Sequence, residues 1–273
     1  MLKLLVITNG NYFSRLILEK LFQEKQKDIA EVFIINGDYK GKTGIKSLFF
    51  VGSKTCFPFL VSKCLQIAFF KLAKLISSNA ILDVEKLASV NGVDFSHFAS
   101  ISEERAFERA RFLKPDLIVS VSCPQRIPER VLEVSVHGGI NIHSSLLPKY
   151  GGLAPYYWVL SKGENVTGTT VHRIVHNFDE GNVLVQDKIE IPKRISALEL
   201  FEDLARIGSI ALLKAIQKVE ENDQGTIQDQ TQKNYFSHPD LKSYIGLKKN
   251  GFSIMRTKHL LKLIWAEMKN NKI

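Results

Sequence analysis

Short apolar runs alternate with helical spacing of apolar residues through the first half of this 273-residue chain. Residues 2–8 (LKLLVIT) have the length of a buried strand, residues 12–25 place apolar side chains at helical intervals, and residues 30–35 (AEVFII) form a second run. Strand, helix and strand in this order imply a right-handed crossover between parallel strands. The pattern therefore predicts an α/β fold with a Rossmann-like, mainly parallel sheet flanked by helices.

Later segments continue this pattern and add an antiparallel pair. Strands are predicted at residues 92–95, 116–121 and 139–143, an antiparallel pair at 167–174 and 182–191, and helices at 102–113, 197–221 and 256–269. Ser102 is the candidate N-cap of its helix. Residues 226–254 are polar and contain glycine and proline, which favours irregular structure there. We expect a domain at residues 1–222 and a C-terminal extension at residues 223–273.

Residues 40–80 interrupt the alternation and are predicted to be an insertion. One helix over residues 60–76 would bring an apolar set near one face and lysines on or near the other; the set is Leu60, Cys64, Ile67, Ala68, Leu72 and Leu75. We expect this face to pack on the domain, with contact to a membrane surface or a partner as the alternative.

The positive charge is concentrated in two segments. The chain carries a net charge of +9. Residues 40–86 hold eight lysines and two acids, and residues 225–273 hold nine basic residues and three acids, so each segment contributes +6 and the remainder −3. Such segments attract phosphate, nucleotide, tRNA or anionic lipid, so we expect an anionic partner there unless these lysines only aid solubility.

The sequence gives no sign of export or of a membrane span. The first residues lack the basic region and cleavage site of a signal peptide, and lysines interrupt the most apolar stretch. Three scattered cysteines, Cys56, Cys64 and Cys123, are typical of a reducing compartment. We expect a cytoplasmic protein.

An amide and an imidazole occur two residues apart near the predicted end of a strand. Asn141 and His143 in NIHSSLLP would point to the same side of the sheet, at the carboxyl edge where ligands bind in open α/β sheets. Asp179 follows in a glycine-flanked loop between two strands, where a carboxylate can orient and stabilise an imidazole. Taken separately, each residue more often has a structural role than a catalytic one.

Taken together, these motifs resemble those of the folate-dependent formyltransferase family. The family pattern is matched in order by NIHSSLLP at 141–148, Gly151 and Gly152, TGTT at 167–170, DEG at 179–181, and Gln186. The resemblance covers about residues 2–39 and 87–221 and is dense only from 115 to 192. It implies a formyltransferase fold and transfer of a formyl group from 10-formyltetrahydrofolate to an amine, with no metal.

The resemblance also assigns residues to roles. It implies that Asn141, His143 and Asp179 are catalytic: the amide and a protonated imidazole stabilise the oxyanion, and the carboxylate pairs with the imidazole. The implied folate contacts are Gln125, Arg126, Ile127, His176, Asn177 and Phe178. The implied contacts to the acceptor substrate are Asn9, Gly10, Asn11, Gly151 and Gly152.

The acceptor itself stays open at this level. Methionyl-tRNA, an amino-sugar nucleotide and glycinamide ribonucleotide are all amines on anionic scaffolds. Relatives of the tRNA and sugar enzymes commonly carry arginine where this chain has Gly151, and about 50 residues after the core are too few for the β-barrel that methionyl-tRNA formyltransferases usually append. The insertion and the tail argue against glycinamide ribonucleotide.

Competing interpretations of the same residues are weaker. His172 and His176 are four apart, but in a strand they would be separated by about 13 Å, so a metal site is not expected. Cys123 beside the site is more simply a buried wall residue than a nucleophile. The alternative function is a non-catalytic folate- or nucleotide-binding protein with the same fold.

Overall fold

The protein is described by a computed structural model that covers residues 1–37, 42–43, 46, 50–76 and 81–270. Parts of the predicted insertion at 40–80, and the last three residues, lie outside the described residues. The strands are β1 (Leu4–Thr8), β2 (Ile29–Ile35), β3 (Phe95–Phe98), β4 (Leu117–Val121), β5 (Gly139–His143), β6 (Gly151–Gly152), β7 (Val166–Arg173), β8 (Val183–Glu190) and β9 (Tyr235–Phe236). The helices are α1 (Tyr12–Lys25), α2 (Phe57–Ile76), α3 (Val84–Val90), α4 (Glu104–Leu113), α5 (Glu129–Leu132), α6 (Pro155–Lys162), α7 (Ala197–Glu220), α8 (Leu241–Lys249) and α9 (Thr257–Asn270).

Seven strands form one sheet in the order β3-β2-β1-β4-β5-β7-β8. Strands β1 to β5 are parallel to one another. Strand β7 pairs antiparallel with β5, and β8 pairs antiparallel with β7 at the edge of the sheet. The parallel strands all end at the same edge, so the loops that follow β1, β4 and β5 are brought together there. The α/β class with a mainly parallel, helix-flanked sheet is confirmed.

Both faces of the sheet are covered, as the continuous apolar strands require. Alternate side chains of β1 point to opposite sides: Leu4 and Val6 join the core under α1 and α7, while Leu5 and Ile7 join the core under α4. A third apolar cluster joins α6, the start of α7 and α8. Helix α7 begins with a complete capping box, since Ser196 accepts from the Glu199 amide and the Glu199 carboxylate accepts from the Ser196 amide.

Several predicted boundaries are wrong in detail. Strand β3 begins at Phe95 rather than residue 92, because residues around Gly92 form a left-handed turn (φ 64°). Helix α4 begins after Glu103, not at Ser102, since Glu103 accepts from the Ser100 amide (2.9 Å) and closes a turn first. Residues 226–254 are not irregular throughout: they contain β9 and α8, the latter capped by Asp240.

The predicted helix of the insertion exists, but its expected packing face is wrong. Ile67, Ala68, Leu72 and Leu75 are exposed to solvent. The opposite side is held by aromatic contacts: Phe59 meets Tyr157 edge-on (5.2 Å between centroids) and Phe70 stacks on Tyr12 (4.8 Å). The spacing of apolar residues therefore predicted the helix correctly, but it did not predict which side of the helix packs on the domain.

Gly168 in β7 provides a test of this packing. A Cβ at residue 168 would lie 2.1 Å from the Asp187 carbonyl oxygen and 2.5 Å from Leu146 Cδ2. We expect Gly168→Ala to lower the free energy of unfolding by about 3 kcal/mol or more, because the β8 backbone must move to admit the methyl group. Urea unfolding at neutral pH measures this change.

The control is Gly92→Ala, where a methyl group meets nothing within 4 Å but the backbone is left-handed. That variant should lose only about 1–2 kcal/mol. Equal losses in the two variants would contradict the packing assigned to β7.

Candidate active site

Asn141 and His143 emerge from the last residues of β5 on the same side, as their spacing predicts. The Asn141 amide is held at both ends: its Oδ1 accepts from Ser120 Oγ (2.9 Å) and its Nδ2 lies 3.2 Å from His172 Nε2. These contacts fix the orientation of the amide, with its oxygen towards Ser120 and its nitrogen towards His172. Among the described residues they use one of the two amide hydrogens and leave the other for a ligand.

His143 is buried and fixed through one ring nitrogen. Its Nε2 lies 2.8 Å from the Tyr150 carbonyl oxygen, so Nε2 carries a hydrogen and donates it. Its Nδ1 faces Asp179 Oδ1 at 3.7 Å. Nδ1 is therefore the nitrogen that can exchange a proton at the site.

Asp179 reaches this pair from the loop between β7 and β8. Its Oδ2 accepts from the Gly152 amide (2.8 Å), while its Oδ1 lies 3.7 Å from both His143 Nδ1 and His172 Nε2. The backbone of Asp179 is left-handed (φ 60°), a strained conformation that surrounding contacts must hold. The structure thus brings the three residues predicted to be catalytic around one small space.

His172, which the sequence suggested only as a weak candidate metal ligand, completes the cluster. It lies on β7 opposite Asn141, almost fully buried, and its Nδ1 is 2.8 Å from the Arg173 carbonyl oxygen. Nδ1 therefore carries the ring hydrogen, and the Nε2 lone pair accepts from Asn141. Only the antiparallel pairing of β5 with β7 reveals this contact; in the sequence, the signal was a histidine two residues after TGTT.

Burial and nearby groups act on the pKa values of this cluster in opposite directions. Burial lowers the pKa of His172 to about 4 despite the nearby carboxylate, so this ring is neutral at pH 7. Burial alone would raise the pKa of Asp179, but His143, His172 and the Gly152 amide outweigh it and lower that pKa below its usual value. Because His172 is uncharged at pH 7, the lasting contributions to this lower Asp179 pKa include the Gly152 amide and the positive charge of Lys233.

The segment after α7 closes the site from one side. Gln228 Nε2 donates to the carbonyl oxygens of Asp179 (2.9 Å) and Gly181 (2.6 Å). Strand β9 pairs in parallel with β6, and Lys233 pairs with Glu180. The polar stretch that contains Gln228 and β9 carries no motif, so the sequence does not show that it packs beside Asp179.

The two loops predicted to hold the folate lie against each other. Arg126 donates to the His176 carbonyl oxygen and its guanidinium lies 6.0 Å from the centre of the Phe178 ring. Phe178 is half-exposed, and Asn177 is turned towards Glu180 (2.7 Å). These loops therefore form two sides of one cleft.

Gln125 and Ile127 support that cleft from within. Gln125 is buried and binds the neighbouring loop, accepting from Ser100 Oγ (2.8 Å) and the Ile101 amide (3.0 Å). The Ile127 side chain is buried in the core under α4. Their side chains are structural, so any ligand contact would come mainly from their backbone.

A cavity of about 590 Å³ opens between α5 and the end of β7. Arg126, Ile127 and His176 line it, together with Leu132 and Ile174. Its walls are apolar with a charged rim, which suits an aromatic ring system carrying polar edges. Asn141, His143 and Asp179 are not among its lining residues.

The residues predicted to contact the acceptor fall into two groups. Asn9 and Asn11 follow β1 at the carboxyl edge, but both side chains are bound to Ser14 at the start of α1. Gly10 between them is left-handed and packs near Ile34. This turn therefore lies at the carboxyl edge of the sheet, as predicted, but its two asparagine side chains are hydrogen-bonded to Ser14.

Gly151 and Gly152 lie directly beside the cluster. A Cβ at residue 151 would lie 3.6 Å from Asp179 Oδ2, and one at residue 152 would lie 2.2 Å from the Phe236 carbonyl oxygen. Gly152 also has a left-handed backbone (φ 93°). Glycine is thus required at 152 for the close approach of β9.

The remaining candidates take no part in the cluster. Burial raises the pKa of Cys123 to about 12, so its thiol stays protonated and is not an activated nucleophile. Within the part of the chain that the structure describes, no three acidic, histidine or cysteine side chains form a metal-binding group. No helix among those residues has the length and apolar character needed to cross a bilayer.

The chain is similar to known proteins in both sequence and structure. The family model described as "Formyl transferase" matches residues 72–216, just over half of the chain. Methionyl-tRNA formyltransferase of Acidobacterium capsulatum is 41% identical over 120 residues, covering 44% of this chain and 38% of that protein. That of Acetivibrio thermocellus is 33% identical over 143 residues, covering 52% and 46%. The matched region spans less than half the length of these relatives.

Solved structures with the same fold include formyltransferases of two other kinds. An N-formyltransferase from Helicobacter canadensis, in complex with folinic acid and dTDP-3-aminofucose, has a TM-score of 0.58 at 19% identity, covering 87% of this chain and 71% of its own. Glycinamide ribonucleotide transformylase 1 from Symbiobacterium toebii has a TM-score of 0.57 at 18% identity, covering 84% and 95%. At these identities the likeness shows the fold.

The neutral state of His172 makes a testable prediction about stability. Between pH 6.5 and about 4 the unfolded chain takes up a proton at this histidine, whereas the folded protein does not. Folding stability should therefore fall as the pH drops through this range, by up to about 1.4 kcal/mol per pH unit from this residue.

His172→Gln lacks this contribution. The stability advantage of the natural protein over the variant should therefore shrink as the pH is lowered from 6.5 towards 4. Urea unfolding of both proteins at several pH values measures the difference, and a difference that stays constant with pH would show that the ring is not buried in its neutral form.

Proposed function

Because the chain belongs to the formyl transferase family, we propose that it is an enzyme that transfers a formyl group from 10-formyltetrahydrofolate to an amine of an anionic acceptor. The observation that carries this proposal is the convergence of Asn141, His143 and Asp179, three side chains distant in sequence, around one space at the carboxyl edge of the sheet. Each offers a chemical property that acyl transfer to an amine needs.

We assign the oxyanion donor to Asn141. Attack by the amine places negative charge on the formyl oxygen, and a donor already aimed at that oxygen stabilises it without reorganisation. The Asn141 amide is suited to this because Ser120 and His172 fix its orientation, and one of its hydrogens is not used by either contact.

His143 and Asp179 would handle the proton. As the new N–C bond forms, the amine must lose a proton and the tetrahydrofolate nitrogen must gain one when its bond to the formyl carbon breaks. His143 Nδ1 is placed to carry that proton, and the ionised Asp179 at 3.7 Å stabilises the ring while it is charged.

The protein has a suitable place for the folate. When bound, the folate supplies the electrophilic formyl carbon. The cleft between the loop at Arg126 and the loop at His176 would accept its ring system, with Ile127 on the same wall. Gln125, Asn177 and Phe178 would shape the same cleft, largely through the backbone. No metal is part of this proposal.

The acceptor would enter from the side of Gly151 and Gly152, with the turn at Asn9, Gly10 and Asn11 on the same edge of the sheet. Relatives named as methionyl-tRNA formyltransferases, and neighbours described with an amino-sugar nucleotide or as glycinamide ribonucleotide transformylases, all suggest an amine on an anionic scaffold. The basic segments at 40–86 and 225–273 would attract such a molecule. We place the enzyme in the cytoplasm, where these substrates occur.

An acceptor screen tests the proposed activity. The full chain is incubated with 10-formyltetrahydrofolate and each of methionyl-tRNA, an amino-sugar nucleotide and glycinamide ribonucleotide, and release of tetrahydrofolate is followed. Turnover with one of the three supports the proposal and identifies the acceptor. Folate binding without turnover on any of them would favour a non-catalytic binding protein of the same fold.

Asn141→Ala tests the assigned role of the amide. We expect kcat with the active acceptor to fall by about 10²- to 10³-fold, because one preorganised oxyanion donor is lost. The matched control is Asn91→Ala, which removes an amide at the end of α3, far along the chain from the site. Unchanged kcat in Asn141→Ala, with the folded state intact, would reject the role.

A further inference from the structure

Helix α2 presents an apolar stripe to solvent instead of burying it. Counting 100° per residue, its outward apolar side chains fall within about 80° of one another around the helix axis. They are Phe57, Val61, Leu65, Ala68, Leu72 and Leu75, all exposed. Leu75 is 83% exposed and Leu72 is 55% exposed, although a surface helix normally turns such residues inward.

The side of α2 that packs on the domain combines aromatic and polar side chains. It buries Ser62 and Gln66 alongside Phe59 and Ala73. Lys63 bends back to donate to Tyr156 Oη (3.0 Å). The aromatic contacts of Phe59 and Phe70 fix this orientation, so the helix cannot roll to cover its apolar stripe without breaking them.

Positive charge lies near the stripe. Residues 40–82 contain seven lysines and no acidic residue. Of these, Lys54 and Lys71 are exposed on or next to α2, while the exposed Lys74 pairs with Asp83. Helix α9, which packs on the same face of the sheet through Leu260 and Leu263, adds the exposed Leu261 between Lys258 and Lys262.

We propose that the outward face of α2, with its flanking lysines, binds the surface of an anionic lipid bilayer. A helix that lies in the interface needs an apolar side to enter the acyl boundary and basic side chains to meet the headgroups, and α2 has both along about 30 Å. This proposal does not depend on the proposed transfer reaction, since the apolar stripe includes none of the residues around Asn141, His143 and Asp179.

Two other occupants fit the surface less well. Nucleic acid binds through phosphate contacts and stacking on aromatic rings, which gives no reason for a row of exposed aliphatic side chains. A second copy of this chain on a two-fold axis would bring the same basic segment against itself. An anionic bilayer matches both the charge and the apolar stripe.

The test is co-flotation of the full chain with vesicles of phosphatidylcholine, with and without phosphatidylglycerol. We expect binding to the anionic vesicles and little binding to the neutral ones. Leu65→Glu and Leu72→Glu should each weaken binding by about tenfold or more, because each removes one inserted leucine and adds a negative charge. Leu72→Trp should strengthen it, because tryptophan prefers the interface.

The matched control is Phe112→Glu on α4, which changes an exposed apolar residue on the opposite face of the sheet. This variant should bind as the natural protein does. Equal loss in Phe112→Glu, or no binding of the folded protein to anionic vesicles, would overturn the proposal. Sedimentation showing a dimer that Leu65→Glu dissociates, or RNA binding without vesicle binding, would overturn it in favour of those partners.

Discussion

The candidate site depends on keeping one carboxylate ionised where water is largely excluded. Burial by itself would favour the neutral acid at Asp179, and its left-handed backbone adds strain. The Gly152 amide and the imidazole of His143 offset the first cost, and Gln228 holds the loop in place by binding two of its carbonyl oxygens. Without these contacts, nothing would keep the carboxylate directed at His143.

The need to hold Asp179 in place connects the segment after α7 to the candidate active site. Gln228 and β9 lie after the long helix α7, yet they contact the Asp179 loop and β6. The close approach of β9 is possible only because residue 152 is glycine, since any side chain there would collide with the Phe236 carbonyl. The division between residues 1–222 and 223–273 stays a prediction, but residues on both sides of it shape the same site.

The two faces of α2 illustrate a limit of sequence patterns. Apolar spacing predicted a helix at 60–76, and the helix is present at Phe57–Ile76. The same spacing predicted that its apolar side would be buried, and that is wrong, because aromatic side chains elsewhere on the helix find partners in α1 and α6. The spacing of apolar residues shows which side chains share one side of a helix. Whether that side is buried depends on which other parts of the domain pack against it.

The sequence by itself determined the fold class, the seven strands of the main sheet, the helices α1, α2, α4, α7 and α9, and the catalytic candidates. The reason is that buried parallel strands need continuous apolar runs and that the motif from Asn141 to Gln186 is unusually long. Only the tertiary structure decided that His172 would join Asn141 and that Gln228 would hold Asp179. It also showed that the two loops predicted to hold the folate meet through Arg126. The physical reason is that strand pairing and loop packing bring together residues separated by tens of positions, and no local pattern records such contacts.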